Sequence, residues 1–420
     1  MKSILIKNIL LENERVDILI EGNRISKIAK AIDFPAQKVI DGSKKAVIPS
    51  FVNMHTHAGM TLFRGISEDM PLNIWLDEIW KAETKLTEEF AYWGTKLACL
   101  EMIKTGTTAF ADMYWFPDRC ADAVIESGMR ASLSFCFLDG GDKQKQIRER
   151  DECQRVYQIL KDKSDKIQFT VSIHGHYTVC DENMLWATDF ARKNGLLLHT
   201  HLSETKSEND AHIAKYGVSP TKRLYDMGIL GNDMIAAHSL WLSDEDIAMY
   251  AEKGVTAVHN INSNLKLASG YRFRYNELKQ AGVNVAIGTD GAGSSNNLDM
   301  LEAMKTSAIV QKAWREDPAA MPLNELMDMG SANGAKALGL DMGRIEEGAL
   351  ADMLLIDMNS TFFIPNFDFK ANLIYSANSS CIDTVICDGN ILMEGRKVEG
   401  EEQIMEEAAA QINKFIELVK

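Results

Sequence analysis

The sequence predicts an α/β fold, a (β/α)8 TIM-like barrel with a small β-sandwich domain built from both chain termini. Three observations support it. Eight short apolar runs alternate with helical patterns through the middle of the chain, the runs end on His and Asp residues, and two β-rich segments bracket the whole. Such alternation is the signature of βα units and a parallel sheet, and eight strands is the number that closes a barrel.

Residues 1–48 read as the first part of the small β-domain, with strands broken by turns at Glu21-Gly22-Asn23 and Asp41-Gly42. The opening stretch, MKSILIKNILLENERVDILIEGNRI, alternates apolar and charged residues as strands do and shows no signal-peptide cleavage site. Residues 49–342 are expected to form the barrel. Its strands are placed on Val47 to Met54, Thr107 to Asp112, Arg130 to Phe137, Gln168 to His174, Leu196 to His201, Met234 to His238, Val255 to Asn260 and Val283 to Asp290. Helical stretches such as Glu88 to Thr105 and Met184 to Asn194 lie between them. Residues 343–420 return to the β-domain, with a strand at Ala351 to Asp357, a strand and turn at Thr384 to Asn390, and an outer amphipathic helix from about Glu401 to Lys420. Neither β-rich segment is long enough to bury a core by itself, so the two are expected to share one.

At 420 residues the chain has room for one large catalytic domain and a smaller companion. Its net charge of −15 argues against nucleic acid or an anionic membrane surface as the main partner, because phosphate would be repelled. The mixed-sign run Lys143 to Arg150 reads as a solvated helix face. No window approaches the roughly 18 apolar residues of a spanning helix. Seven cysteines, an odd number without a CxxC, fit buried thiols in a reducing cytoplasm better than a disulfide framework.

The expected strand ends carry the chemistry. They are His55-Thr56-His57, Asp112, His174, His201, His238, His259 and Asp290, and of nine histidines only His199 and His212 do not fall at or just past a strand end. In a β/α barrel these ends form the active-site face. One strand-end histidine is more often a member of a buried hydrogen-bond network than a ligand. Five or six converging on one rim read as a metal or catalytic site.

His55 and His57, two apart on a strand, face the same side and can reach one ion. In His199-Thr200-His201 the last residue lies nearest the mouth, so His201 is the expected ligand and His199 a deeper barrel residue. Gly288-Thr289-Asp290-Gly291 supplies a carboxylate that can touch metal and accept a proton from its water. The competing role for Asp290, a helix cap, is better served by Ser294, Ser295, Asn296 or Asn297. Three imidazoles and a carboxylate around an ion bring the pKa of its water toward neutrality. Attack on an electron-poor C–N carbon then needs a proton on the ring nitrogen, which Glu204 can deliver, while His238 and Asp290 hold and shuttle the proton of the water. Two-metal barrels place a bridging lysine after the fourth strand, and Phe169 to His174 has none, so one ion per subunit is expected. Zinc suits the imidazole-rich set, and iron or manganese fits the same donors.

His55-Thr56-His57, His201-Leu202-Ser203-Glu204, Ala237-His238-Ser239, the run from His259 to Gly270 and Gly288 to Ala292 together resemble the amidohydrolase superfamily. More narrowly they resemble its 5′-methylthioadenosine/S-adenosylhomocysteine deaminases, and the likeness extends through Gly343 to Asp352. The resemblance implies zinc on His55, His57, His201 and Asp290, and proton transfer by Glu204, His238 and Asp290. It further implies a nucleoside substrate whose ribose meets Glu83 and whose base region meets His174, Glu204 and Asp290. Trp75 is either a stacking wall or a core aromatic. An arginine expected to meet the substrate's tail is Arg148 or Arg150. A homo-oligomer is common for barrels of this type.

Where the family reads His-(Ala/Ser)-Pro-Tyr, this chain has His174-Gly175-His176-Tyr177. The implied reaction is hydrolysis of the adenine 6-amino group to an inosine analogue and ammonia. The alternative is deamination or dechlorination of another amino-heterocycle such as guanine, a pterin or a triazine. A barrel that had lost catalysis and served as an assembly module would be expected to lack a ligand, and all four are present.

Overall fold

The computed structural model describes residues 2–419. Five strands come first: β1 (Ser3–Leu11), β2 (Glu14–Glu21), β3 (Arg24–Ala29), β4 (Lys38–Asp41) and β5 (Lys45–Pro49). Eight more follow: β6 (Phe51–Thr56), β7 (Thr107–Met113), β8 (Arg130–Phe137), β9 (Ile167–Gly175), β10 (Leu197–Leu202), β11 (Met234–His238), β12 (Thr256–His259) and β13 (Asn284–Ile287). The last three are β14 (Met353–Asp357), β15 (Ile382–Cys387) and β16 (Asn390–Met393).

β6 to β13 form one parallel sheet in sequence order, with helices between most successive strands. This is the expected barrel. Its strands are almost wholly buried, as suits a sheet covered on both faces. The seam between β13 and β6 closes by hydrogen bonds just past the strands. Asp290 N donates to His55 O at 2.9 Å, and Thr289 N to Asn53 Oδ1 at 3.0 Å. Gly288 is needed there, because a Cβ would stand 2.7 Å from His55 N.

The two ends of the chain share a second, mixed sheet in the order β16-β15-β14-β5-β1-β2-β3, with β4 paired to β1. Ile4, Ile6, Ile18 and Ile20 from the first strands pack with Met353, Leu355 and Ile386 from the last, so the core does combine both termini.

The apolar run Val47 to Met54, expected as a single barrel strand, is divided between the sheets. Pro49 ends β5 opposite Met353, then Ser50 N donates to Asp352 O at 3.3 Å and Phe51 N to Gly106 O at 3.0 Å. Proline has no N–H to continue a ladder, and the chain changes sheets at that point. The segment Gly140 to Lys166 contains an 18-residue helix, Lys143–Leu160. The C-terminal helix spans Glu401–Val419, Lys420 lying outside the described residues, and its Phe415 packs on Phe63 and Phe90. Among the described residues no helix is long and apolar enough to cross a membrane.

Candidate metal centre and active site

His55 and His57 leave β6 on one face, while Val52 and Met54 on the other pack against the helix Ala332–Ala337. Asp112 fixes the turn that follows, accepting from Thr56 Oγ1 at 2.8 Å and Ala58 N at 2.6 Å. Burial, offset in part by these bonds, raises its carboxyl to about 6.

The structure brings His55, His57, His201 and Asp290 together. His57 Nε2 lies 3.2 Å and His55 Nε2 3.5 Å from Asp290 Oδ1, and His201 Nε2 is 3.3 Å from His57 Nε2. Ligand atoms of His55, His57 and Asp290 all fall within 4.8 Å of one another, as do those of His55, His201 and His238. His238 therefore reaches the same centre.

The far side of each ring is occupied. His57 Nδ1 donates to Met113 O at 2.5 Å and His201 Nδ1 to His174 O at 2.7 Å, while His55 Nδ1 meets His199 Nε2 at 2.9 Å. Carbonyls only accept, so the Nδ1 atoms of His57 and His201 carry protons and their Nε2 atoms are left to face the centre. His55 Nε2 is buried without a hydrogen-bond partner. Asp290 is fixed likewise: Ser263 Oγ donates to Oδ2 at 2.6 Å and Gly291 N to Oδ1 at 2.7 Å. Three convergent imidazole nitrogens and one carboxylate oxygen fit a divalent cation.

The electrostatics agree. Burial would raise the Asp290 carboxyl, yet the adjacent His55 and His57 rings hold it well below the usual range. Burial pushes the His57 ring down, but Asp290 outweighs it and raises the group to about 9. Burial drives His201 and His199 well below the ordinary histidine value. Beside the centre, Glu204 Oε2 is 3.6 Å from His238 Nε2, and Ser269 Oγ is 3.4 Å from Glu204 Oε1. Burial, then the charges of Asp290 and Glu208, lift the Glu204 carboxyl well above its usual value. Burial brings His238 down to about 4, and Asn264 Nδ2 donates to its Nδ1 at 3.0 Å. Left-handed φ angles occur at Ser203 (55°), His238 (69°) and Asp290 (65°). Non-glycine residues hold that conformation only where their surroundings enforce it.

A cavity opens over this centre, walled by the helix Leu72–Glu83. Leu72, Trp75, Leu76, Ile79, Trp80 and Glu83 line it from one helix face, with spacings of three and four. Trp75 is thus both buried and a cavity wall. Glu83 is half-buried there, and burial raises its carboxyl. That i, i+4, i+8 register with Trp75 and Ile79 is the signal that separates Glu83 from an exposed helix residue. His174 also lines the cavity, its Nδ1 2.9 Å from Thr178 Oγ1. A wider cavity of about 1610 Å³ continues outward past Tyr177, Glu204 and Leu267.

Arg148 and Arg150 do not reach either space. Arg148 is exposed on the helix Lys143–Leu160, and Arg150 donates to Asn183 Oδ1 at 2.6 Å with its guanidinium over Trp186. That outer helix does not bring either of the two arginines expected at the substrate to the centre. The helix that follows Asp290, Met300–Arg315, is capped by Asp299 and not by any residue from Ser294 to Asn297. Ser263, Asn264 and Glu208 were missed as site residues, while His199, expected as a deeper barrel residue, lies buried behind His55. Ser263 and Asn264 lie inside the His259–Gly270 motif, which was their only sequence signal.

The amidohydrolase family profile matches residues 46–392. The chain is 43% identical over 404 residues to a 5-methylthioadenosine/S-adenosylhomocysteine deaminase of Thermococcus onnurineus, covering 94% of this chain and 95% of that one. It is 42% identical over 396 residues to a 5′-deoxyadenosine deaminase of Methanothermobacter thermautotrophicus, covering 94% and 92%. The solved structure of an adenosine deaminase from Xanthomonas campestris with bound zinc superposes with a TM-score of 0.92 at 29% identity, covering 99% of this chain and 98% of that one.

Proposed function

The chain belongs to the amidohydrolase family, and from that premise we propose that it hydrolyses the 6-amino group of 5′-modified adenosines. The substrates in this reading are 5′-methylthioadenosine, S-adenosylhomocysteine and 5′-deoxyadenosine, and the products are the inosine analogue and ammonia. The observation that carries it is the convergence of three imidazoles and Asp290 beside a buried Glu204 whose carboxyl burial raises, in a chain whose near full-length relatives bear those deaminase names.

His55, His57, His201 and Asp290 hold the metal in this reading, and zinc is proposed on the imidazole-rich donor set and on the zinc in the Xanthomonas structure. When bound, the ion supplies Lewis acidity that brings a water molecule toward neutral pKa. The protein does the rest. Glu204, kept protonated by burial, gives its proton to the purine ring nitrogen next to C6. Asp290 takes the proton that the attacking water sheds and passes it to the departing amine. His238, neutral and oriented by Asn264, presents Nε2 toward Glu204 and steers the water. Glu83 binds the ribose hydroxyls, His174 contacts the nucleoside, and Trp75 closes the wall behind the base. C6 gains oxygen from water and loses nitrogen as ammonia, and the proton left on that oxygen returns to Glu204 as the C6 carbonyl forms.

Turnover of adenosine, methylthioadenosine, S-adenosylhomocysteine and 5′-deoxyadenosine by the zinc-loaded protein tests this. The inosine analogue should appear with stoichiometric ammonia. If none of the four is consumed, the reading fails.

A further inference from the structure

Glu204 stands on a strained turn, and the strain is held by one neighbouring side chain. Ser203, with its left-handed φ of 55°, precedes it. Glu208, in the first turn of the helix Lys206–Tyr216, accepts hydrogen bonds from three consecutive amides. Ser203 N reaches Oε1 at 3.1 Å, while Glu204 N and Thr205 N reach Oε2 at 2.8 Å and 3.3 Å. From the other flank, Ser203 O accepts from Leu240 N at 3.1 Å and Trp241 N at 2.9 Å.

A carboxylate committed to three amides needs a partner of its own, and His176 provides it. His176 Nε2 lies 2.9 Å from Glu208 Oε1, with the two side chains only 4% and 9% exposed. Burial would raise the Glu208 carboxyl, but the His176 contact and the amides bring it below its ordinary value, so it is ionised and a strong acceptor. His176 is also where the chain departs from the proline of the motif it resembles.

Resting on the deaminase reading above, we propose that His176 and Glu208 are positioning residues for Glu204. Their buried pair locks the Ser203–Thr205 amides and thereby aims the Glu204 carboxyl at the substrate's ring nitrogen. Neither group needs to touch the reacting atoms. Both also border the wide outer cavity, so direct contact with a 5′ substituent is the competing role.

The variants His176→Ala, His176→Gln and Glu208→Gln in zinc-loaded protein separate the two. Deuterium uptake by the 202–208 segment, followed without substrate, reads the lock itself. It should rise in H176A and E208Q while metal content stays as in the wild type. With methylthioadenosine, H176A should lose about ten- to a hundredfold in kcat with KM within about twofold, as expected of a misplaced catalytic group. The H176Q side chain returns an N–H donor to the same place and should recover most of both effects. Unchanged uptake in H176A, an unchanged kcat, or a loss carried by KM and confined to substrates with long 5′ groups would each overturn the proposal. If the wild type consumes none of the four adenosines, the deaminase reading fails, and the uptake arm still decides whether the lock exists.

Discussion

One buried hydroxyl decides which oxygen of Asp290 faces the centre. Ser263 holds Oδ2 at 2.6 Å and leaves Oδ1 beside His57. Ser263→Ala should therefore weaken metal binding by about 10–100-fold, the usual cost of losing a group that orients a ligand. Competition with a chelator measures it, and an unchanged affinity would count against Asp290 as a ligand. A second residue gives a pH signature away from the metal. Burial, offset by Leu138 N and Lys145, raises Glu149 from 4.5 to about 7. The folded protein thus holds a proton that the unfolded chain releases, so this contribution to stability is full below pH 4.5 and lost as pH rises through 7. Glu149→Gln should be up to about 2 kcal/mol more stable than the wild type near pH 8 and no different near pH 4.5, by urea denaturation. The convergence of His55, His57, His201 and Asp290 was legible because strand alternation and strand ends constrain them within a few residues. The contacts that Ser263 and His199 make were not, since they reach across 27 and 144 residues of chain. Arginines on a solvated helix give no sign of which way the helix faces.

At the scale of elements, the barrel depends on how its last strand meets its first. Gly288 leaves no space for a side chain, its Cβ position falling 2.7 Å from His55 N and 2.8 Å from Asn260 Nδ2. Gly288→Ala should push His55 out of place and lower both metal content and Tm, measured by metal analysis and calorimetry. Retention of full metal content would show that the seam yields more readily than its packing suggests. All eight barrel strands were legible, because buried parallel strands are short apolar runs between helical patterns. The division at Pro49 was not, because Val47, Ile48, Phe51 and Val52 are equally buried and only their partners tell the sheets apart. Hydrophobicity records burial and not against what.

Across the whole molecule, the terminal sheet and the barrel are joined through a buried charge cluster. Arg130 of β8 lies 3.5 Å from Asp352 and 2.5 Å from Asp388, at 7%, 0% and 13% side-chain exposure. Arg130→Ala leaves Asp352 without a cation and Asp388 with only Lys166, 3.8 Å away, and should cost about 3–5 kcal/mol. Unfolding should remain a single transition, because both sheets exchange partners at Pro49 and Ser50; two resolved transitions would show that the sheets are independent. Metal should act on the same transition. Chelation is expected to abolish turnover and lower Tm, and resupplied zinc to restore both, as binding to the folded state alone requires.

The seam at Gly288 and the shared terminal sheet also bear on biosynthesis. β6 cannot meet β13, nor β5 meet β14, until most of the polypeptide has left the ribosome. At roughly 5–20 residues per second, two apolar strand edges wait tens of seconds for neighbours not yet translated. The buttress that Phe415 gives to Phe63, just beyond the His57 turn, is among the last contacts to become available. A nascent chain halted early thus offers sticky edges and no working catalyst, which makes it a natural client for chaperones during synthesis.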